Sequence, residues 1–159
     1  MPIMNKTGPI VIIEDDADDQ MLLNEIFKKL NYPNPIIYFY DGEEALNYLN
    51  TTKDKPFLIL SDINMPRLDG FGLRNKVQSN AALHLKCIPY LFLTTGSTPK
   101  IVIEAYSKSI QGFFVKPSNF DDLTLTIKKI IEYWQDCIAP DYDIDTTYEE
   151  LKVEYKATL

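Results

Sequence analysis

The chain has 159 residues, 45% of them hydrophobic and 12% aromatic. That is enough to bury one core without a disulfide or metal staple and too apolar for general disorder. The formal charge is −7 with no cluster of lysines and arginines, which argues against a nucleic-acid backbone as a direct ligand. The opening "MPIMNKTGP" lacks the basic and apolar stretches of a signal peptide, and no apolar run approaches the ~18 residues that span a membrane. With only two widely separated cysteines, Cys87 and Cys137, these features fit a cytoplasmic, reducing compartment.

The first apolar run, "PIVII" (9–13), is short, continuous and β-branched, the pattern of a strand covered on both faces. It ends on "EDD", Glu14, Asp15 and Asp16. From near Asp16 a helix follows, with Leu23, Ile26, Phe27 and Leu30 on one face. "PIIYFY" (35–40) is the second strand. It closes on Asp41-Gly42, a turn or cap that opens a helix with Ala45, Leu46 and Leu49 inward. The third strand, "FLIL" (57–60), runs into Asp62 and Asn64, then Met65-Pro66 and a turn at Asp69-Gly70. Phe71, Leu73 and Val77 mark a helix from about Gly70 to Gln78, and "ALHLKCIP" with the sole histidine, His84, is a connection. "IPYLFLT" (88–94) ends on Thr94-Thr95. Thr98-Pro99 then caps a helix carrying Ile101, Val102, Ala105 and Tyr106. The fifth strand, "GFFV" (112–115), leads into Lys116-Pro117. A capping box of Ser118 and Asp121 starts a helix with Leu123, Ile127, Ile130, Ile131 and Trp134 on one stripe.

Residues 137–159 form a separate compositional unit with six acids and two lysines. "TTYEELKVEYKA" predicts one short helix capped by Thr147 with Glu150, and Tyr148, Leu151 and Tyr155 sharing a face. That face packs on its own domain or serves a dimer or partner contact. The expected organisation is one domain over 9–136 and an acidic extension over 137–159, with no output module after it.

The alternation is (βα)₅, a doubly wound α/β fold whose working residues gather at the carboxyl ends of the strands. Periodicity alone leaves the strand order open. Glu14, Asp15, Asp62, Asn64, Thr94 and Lys116 would then crowd one edge. Three carboxylates within a few ångströms repel strongly unless one takes a proton or a cation settles among them. Their hard oxygens, with no histidine or cysteine nearby, favour Mg²⁺ over Zn²⁺. Thr94 offers a hydrogen bond and Lys116 a positive charge, so the set suits a phosphoryl group transferred onto a carboxylate.

At these residues the chain resembles the receiver domains of bacterial two-component response regulators, over roughly residues 9–136. "VIIEDD" matches the acidic pair after the first strand, and "LSDINMPRLDG" the phosphoacceptor strand with its loop. "IPYLFLTT" matches the switch-threonine strand, and "GFFVKP" the aromatic and lysine region. The resemblance implies a flavodoxin-like, three-layer α/β/α fold of strand order 2-1-3-4-5. It implies that Asp62 accepts a phosphoryl group from a phosphohistidine of a sensor histidine kinase or phosphotransfer protein. Mg²⁺ would be held by Asp15, Asp62 and the backbone carbonyl of Asn64, with Glu14 contributing weakly or through water. Lys116 and Thr94 would each bind a phosphoryl oxygen, and Phe113 would change rotamer with state. Modification would then switch contacts with a downstream protein or a second copy of the chain. The "KKIIEYWQDCIAP" region further resembles stand-alone receivers that dimerise and partner phytochrome-type kinases.

The chain departs from the family at several points. Phe113 lacks a hydroxyl, so its switch is steric. Neither Gly96 nor Asn64 supplies a side chain that works as an acid or base on water, which predicts slow or moderate self-dephosphorylation. A haloacid-dehalogenase-like phosphatase would need a second acid where Asn64 stands, because a neutral amide cannot transfer the proton. A degenerate receiver that binds partners without phosphorylation is disfavoured by the complete set of site residues. His84 sits in a connection rather than on a bundle helix, and no glycine-rich loop supports a nucleotide carrier.

Overall fold

The computed structural model describes residues 6–138 together with 150, 153, 154, 156 and 157. Five strands, β1 (Ile10–Ile13), β2 (Ile36–Phe39), β3 (Leu58–Ser61), β4 (Tyr90–Thr94) and β5 (Gly112–Val115), form one parallel sheet of order β2-β1-β3-β4-β5. Among residues 6–138 six helices flank it: α1 (Ala17–Leu30), α2 (Gly42–Thr51), α3 (Gly70–Ser79), the single turn α4 (Ala81–His84), α5 (Pro99–Ser107) and α6 (Phe120–Asp136). The doubly wound fold and its strand order agree with the sequence reading.

The pleat explains why the central strands are apolar throughout. Ile10, Ile12, Leu58, Leu60, Leu91 and Leu93 point to one face, where Leu23 and Ile26 of α1 and Leu123, Ile127 and Ile131 of α6 cover them. Val11, Ile13, Ile59, Tyr90 and Phe92 point to the other, under Ala45 and Leu49 of α2, Leu73 and Val77 of α3, and Ala105 of α5. β1, β3 and β4 are buried at every position, whereas the edge strand β2 is only half-buried. Phe92 is the aromatic hub of the second face. Its ring meets Phe71, Tyr90 and Phe113 edge-on at centroid distances of 5.5, 5.4 and 6.4 Å.

Two local features differ from expectation. The last helix is capped by Asn119, whose Oδ1 accepts from the Asp122 N–H at 2.8 Å, not by Ser118 with Asp121. Phe120 packs against the α1–α6 core, so the helical stripe starts there and the cap falls one residue later. The connection around His84 contains α4, capped by Asn80, which drives Leu83 into the core. Thr147, Tyr148, Leu151 and Tyr155 of the predicted terminal helix lie outside the described residues.

A buried arginine ties two helices together. Arg74 of α3 donates from Nε to the Lys108 carbonyl at 3.0 Å and from Nη2 to the Ser109 carbonyl at 2.7 Å. It thereby satisfies carbonyls at the end of α5 that have no helical partner. Its guanidinium lies 5.3 Å from the centre of the buried Tyr90 ring, and burial pulls its pKa below the ordinary arginine value.

Candidate functional site

Parallel pairing sends all five carboxyl ends to one edge, and the ladder runs past the strand limits there. The Glu14 N–H donates to Phe39 O at 2.9 Å and the Asp62 N–H to Ile13 O at 2.9 Å; that of Lys116 donates to Thr94 O at 2.6 Å. Three chemically active side chains are therefore mounted on extended backbone held by its neighbours. Gln20 adds a brace from α1, donating to the carbonyls of Glu14 at 2.8 Å and Phe39 at 3.2 Å.

Glu14, Asp15 and Asp62 each bring a carboxylate oxygen to within 4.8 Å of the others. Asp15 is exposed and Asp62 half-buried, while Glu14 is only 3% exposed. Asp62 Oδ1 accepts from the Ile63 N–H at 2.7 Å. Glu14 Oε1 accepts from the Asp16 N–H at 3.1 Å, and Oε2 from the Lys116 ammonium at 2.6 Å. That ammonium also donates to Asp19 Oδ2 at 2.9 Å. Thr94 ends β4 in full burial, and Asn64 is exposed on the loop after Asp62. Phe113 lies two positions before Val115, the register partner of Thr94, against Phe92. The structure thus gathers Glu14, Asp15, Asp62 and Lys116 into one cluster. Thr94 stands on the same edge, and Phe113 further back in the sheet.

Sequence reasoning missed Asp19 and Arg67. Asp19 lies in the first turn of α1, and the fold brings it to the lysine that follows β5. Arg67 adopts a left-handed φ of 63° in the loop after Asp62. It donates from Nε to the buried Asp41 Oδ2 at 2.7 Å and from Nη2 to Glu44 Oε1 at 3.2 Å. Asp41 also caps α2, accepting from the Glu44 N–H at 2.9 Å. The loop carrying the cluster is thereby fastened to the start of α2. Two glycines pack it from below: Gly42 donates to Leu68 O at 2.9 Å, and Gly70 donates to Ile63 O at 2.8 Å.

The electrostatics fit a hard divalent cation. Burial pushes the Glu14 carboxyl up to about 7, a shift that the Lys116 ammonium opposes without cancelling. Burial alone would lower the Lys116 pKa, but Glu14 and Asp19 more than offset it and hold the ammonium above its ordinary value. Oxygen donors of this kind suit Mg²⁺ or Mn²⁺, and exposed Asp15 leaves one side open to the waters such ions retain. A pH dependence follows. Glu14 has a folded pKa above its unfolded value, so without metal it makes the fold lose stability as pH rises from about 4.5 through about 7. A bound divalent ion needs the ionised carboxylate. The rise in Tm on adding Mg²⁺ is therefore expected to be larger at pH 8 than at pH 5. Equal rises at both would show that Glu14 does not titrate in that interval.

The fold and this acidic edge define a phosphoacceptor signalling domain rather than an ordinary enzyme. Residues 10–128 match the family model described as response regulator receiver domain, and the chain belongs to that family. It is 30% identical over 129 residues to the probable methanogenesis regulatory protein FilR2 of Methanothrix harundinacea, spanning 79% of this chain and 82% of that protein. It is 28% identical over 140 residues to response regulator Rcp1 of Synechocystis, spanning 85% of this chain and 94% of Rcp1. The crystal structure of Mn²⁺-bound Rcp1 superposes with a TM-score of 0.73 at 28% identity, over 83% of this chain and 98% of the other. That of the phosphorylated cyanobacterial phytochrome response regulator RcpA also gives 0.73, at 27% identity, over 80% of this chain and 94% of the other. Receiver domains of this family work with histidine kinases and downstream targets. No described helix is long and apolar enough to cross a membrane.

Proposed function

We propose that Asp62 is the phosphoacceptor of a cytoplasmic response regulator that switches contacts with a downstream protein or a second copy of the chain. The observation that carries this reading is the position of Asp62, one residue past β3, with oxygens of Glu14 and Asp15 within 4.8 Å. One Asp62 oxygen attacks phosphorus as the P–N bond of the donor phosphohistidine breaks, the electron pair returning to the imidazole nitrogen. Glu14, Asp15, Asp62 and the Asn64 carbonyl would hold Mg²⁺, which when bound neutralises charge on the transferring group. Lys116 exchanges a carboxylate partner for a phosphoryl oxygen, and Thr94 donates its hydroxyl to another. Phe113, already against Phe92, moves toward the space Thr94 leaves and reshapes the surface of α5, β5 and α6. Rcp1 and RcpA carry the names of response regulators, RcpA that of a phytochrome's, which supports a phytochrome-type histidine kinase as the donor here.

Incubation with Mg²⁺ and a small phosphodonor, read by intact mass, tests this. A gain of one phosphoryl group is expected in the wild type, decaying slowly because Gly96 and Asn64 place no acid or base on water, and no gain in Asp62→Asn. Addition that survives the substitution would overturn the assignment of Asp62. No addition to the wild type would favour phosphorylation-independent partner binding instead.

A further inference from the structure

The Lys116 side chain is only 5% exposed, so its three N–H donors must find partners in the protein rather than in water. Two go to carboxylates of unequal character. Glu14 is almost fully buried and belongs to the cluster with Asp15 and Asp62. Asp19 has a side chain 33% exposed and lies outside that cluster. Its own N–H donates to Asp16 Oδ1 at 3.0 Å, so the cap of α1 fixes its backbone and aims the carboxylate inward. Asp19 is thus a preset anion in contact with the one ammonium that the proposed phosphoryl group needs.

We propose that Asp19 is a positioning residue that competes with the phosphoryl group for Lys116, parking the ammonium in the unmodified protein and releasing it on modification. This rests on the reading of Asp62 as phosphoacceptor. The asymmetry of burial decides which carboxylate lets go. Glu14 cannot be rehydrated when its cation leaves, whereas Asp19 meets water and can regain hydration there. Asp19 therefore biases the resting equilibrium toward the unmodified arrangement and sets how much of the modified state a given donor produces. The neighbouring Asp18 is exposed, carries the same charge and makes no contact with Lys116.

The test uses the full chain with Mg²⁺ and beryllium fluoride, a tetrahedral phosphoryl mimic, and measures its affinity by NMR in wild type, Asp19→Asn and Asp18→Asn. Asp19→Asn keeps the shape of the side chain and removes the charge. It is expected to bind the mimic about 5–10-fold more tightly, the effect of losing one competing charge-assisted hydrogen bond. Asp18→Asn removes an equal charge without that contact and is expected to stay within about twofold of wild type. The Lys116 ammonium resonance of wild type is expected to shift on adding the mimic toward that of the loaded Asp19→Asn protein. A fall in affinity for Asp19→Asn, or a gain no larger than that of Asp18→Asn, would overturn the competition. Wild type that takes up no mimic in the presence of Mg²⁺ is a different failure, because it removes the assignment of Asp62 and the role of Asp19 with it.

Discussion

Lys116→Ala is expected to abolish phosphoryl uptake while leaving divalent-ion binding largely intact. The ammonium lies against two carboxylates, and its loss strands Glu14, which is 3% exposed, with no cation. Breaking a buried pair from one side costs about 3–5 kcal/mol, most of it the penalty of an uncompensated charge. The cost depends on pH. With the lysine gone, only the Asp16 N–H still opposes the burial that already pushes Glu14 up to about 7, so its folded pKa rises further. A raised carboxylate pKa means stability that is present in acid and lost as pH climbs. The variant should therefore melt close to wild type at pH 5 and well below it at pH 8, with Mg²⁺ restoring much of the difference. Thermal denaturation at both pH values, with a metal titration and an intact-mass assay, gives all three readouts. A collapse of metal affinity would show that the lysine holds the cluster together instead of serving the phosphoryl group.

The second large effect belongs to a residue with no side chain. A Cβ added at Gly70 would collide with the Asp62 carbonyl oxygen and lie 2.9 Å from both Ile63 Cα and Phe92 Cε1. Two of these three are backbone atoms of the turn that carries Asp62, so relief requires moving that turn. Gly70→Ala is expected to destabilise the fold by about 3 kcal/mol through overpacking. It should also slow phosphoryl uptake on the order of 100-fold, the effect of displacing a reacting group by about 1 Å. Gly96 supplies the control, since a Cβ there meets nothing within 4 Å and Gly96→Ala should fold as stably as wild type. Urea denaturation with the rate of mass gain separates the two consequences. A Gly70→Ala protein of normal midpoint and rate would mean that the turn yields without strain.

How far the sequence could be read follows from how far each signal is local. The strands announce themselves because Ile10–Ile13, Leu58–Ser61 and Tyr90–Thr94 are covered on both faces and so are apolar without alternation. The grouping of Glu14, Asp15 and Asp62 is legible for the same reason: once strands are parallel, residues just past their ends share an edge. The order of the strands came from family resemblance, not from periodicity. Contacts set by packing angles stayed hidden. Asp19 and Lys116 are 97 residues apart, and nothing in "DDADDQ" distinguishes the inward acid from its exposed neighbours. Arg74 sits in a helix of modest amphipathicity and looks like an ordinary surface arginine until α5 ends beside it. The displaced cap of α6 shows the limit of motif matching. Ser118-Asp121 and Asn119-Asp122 both satisfy the spacing, and the burial of Phe120 selects between them.

The bond between Arg74 and the far end of α5 has a mechanical consequence. Lys108 and Ser109 are pinned to α3 by a guanidinium resting on a buried ring, whereas Thr98 and Pro99 begin the helix beside the exposed Gly96, where a side chain would meet empty space. A pull applied through Thr94 would therefore act on the loose end of a rod hinged at its other end, and the helix would swing most next to the carboxyl edge of the sheet and least beside Ser109.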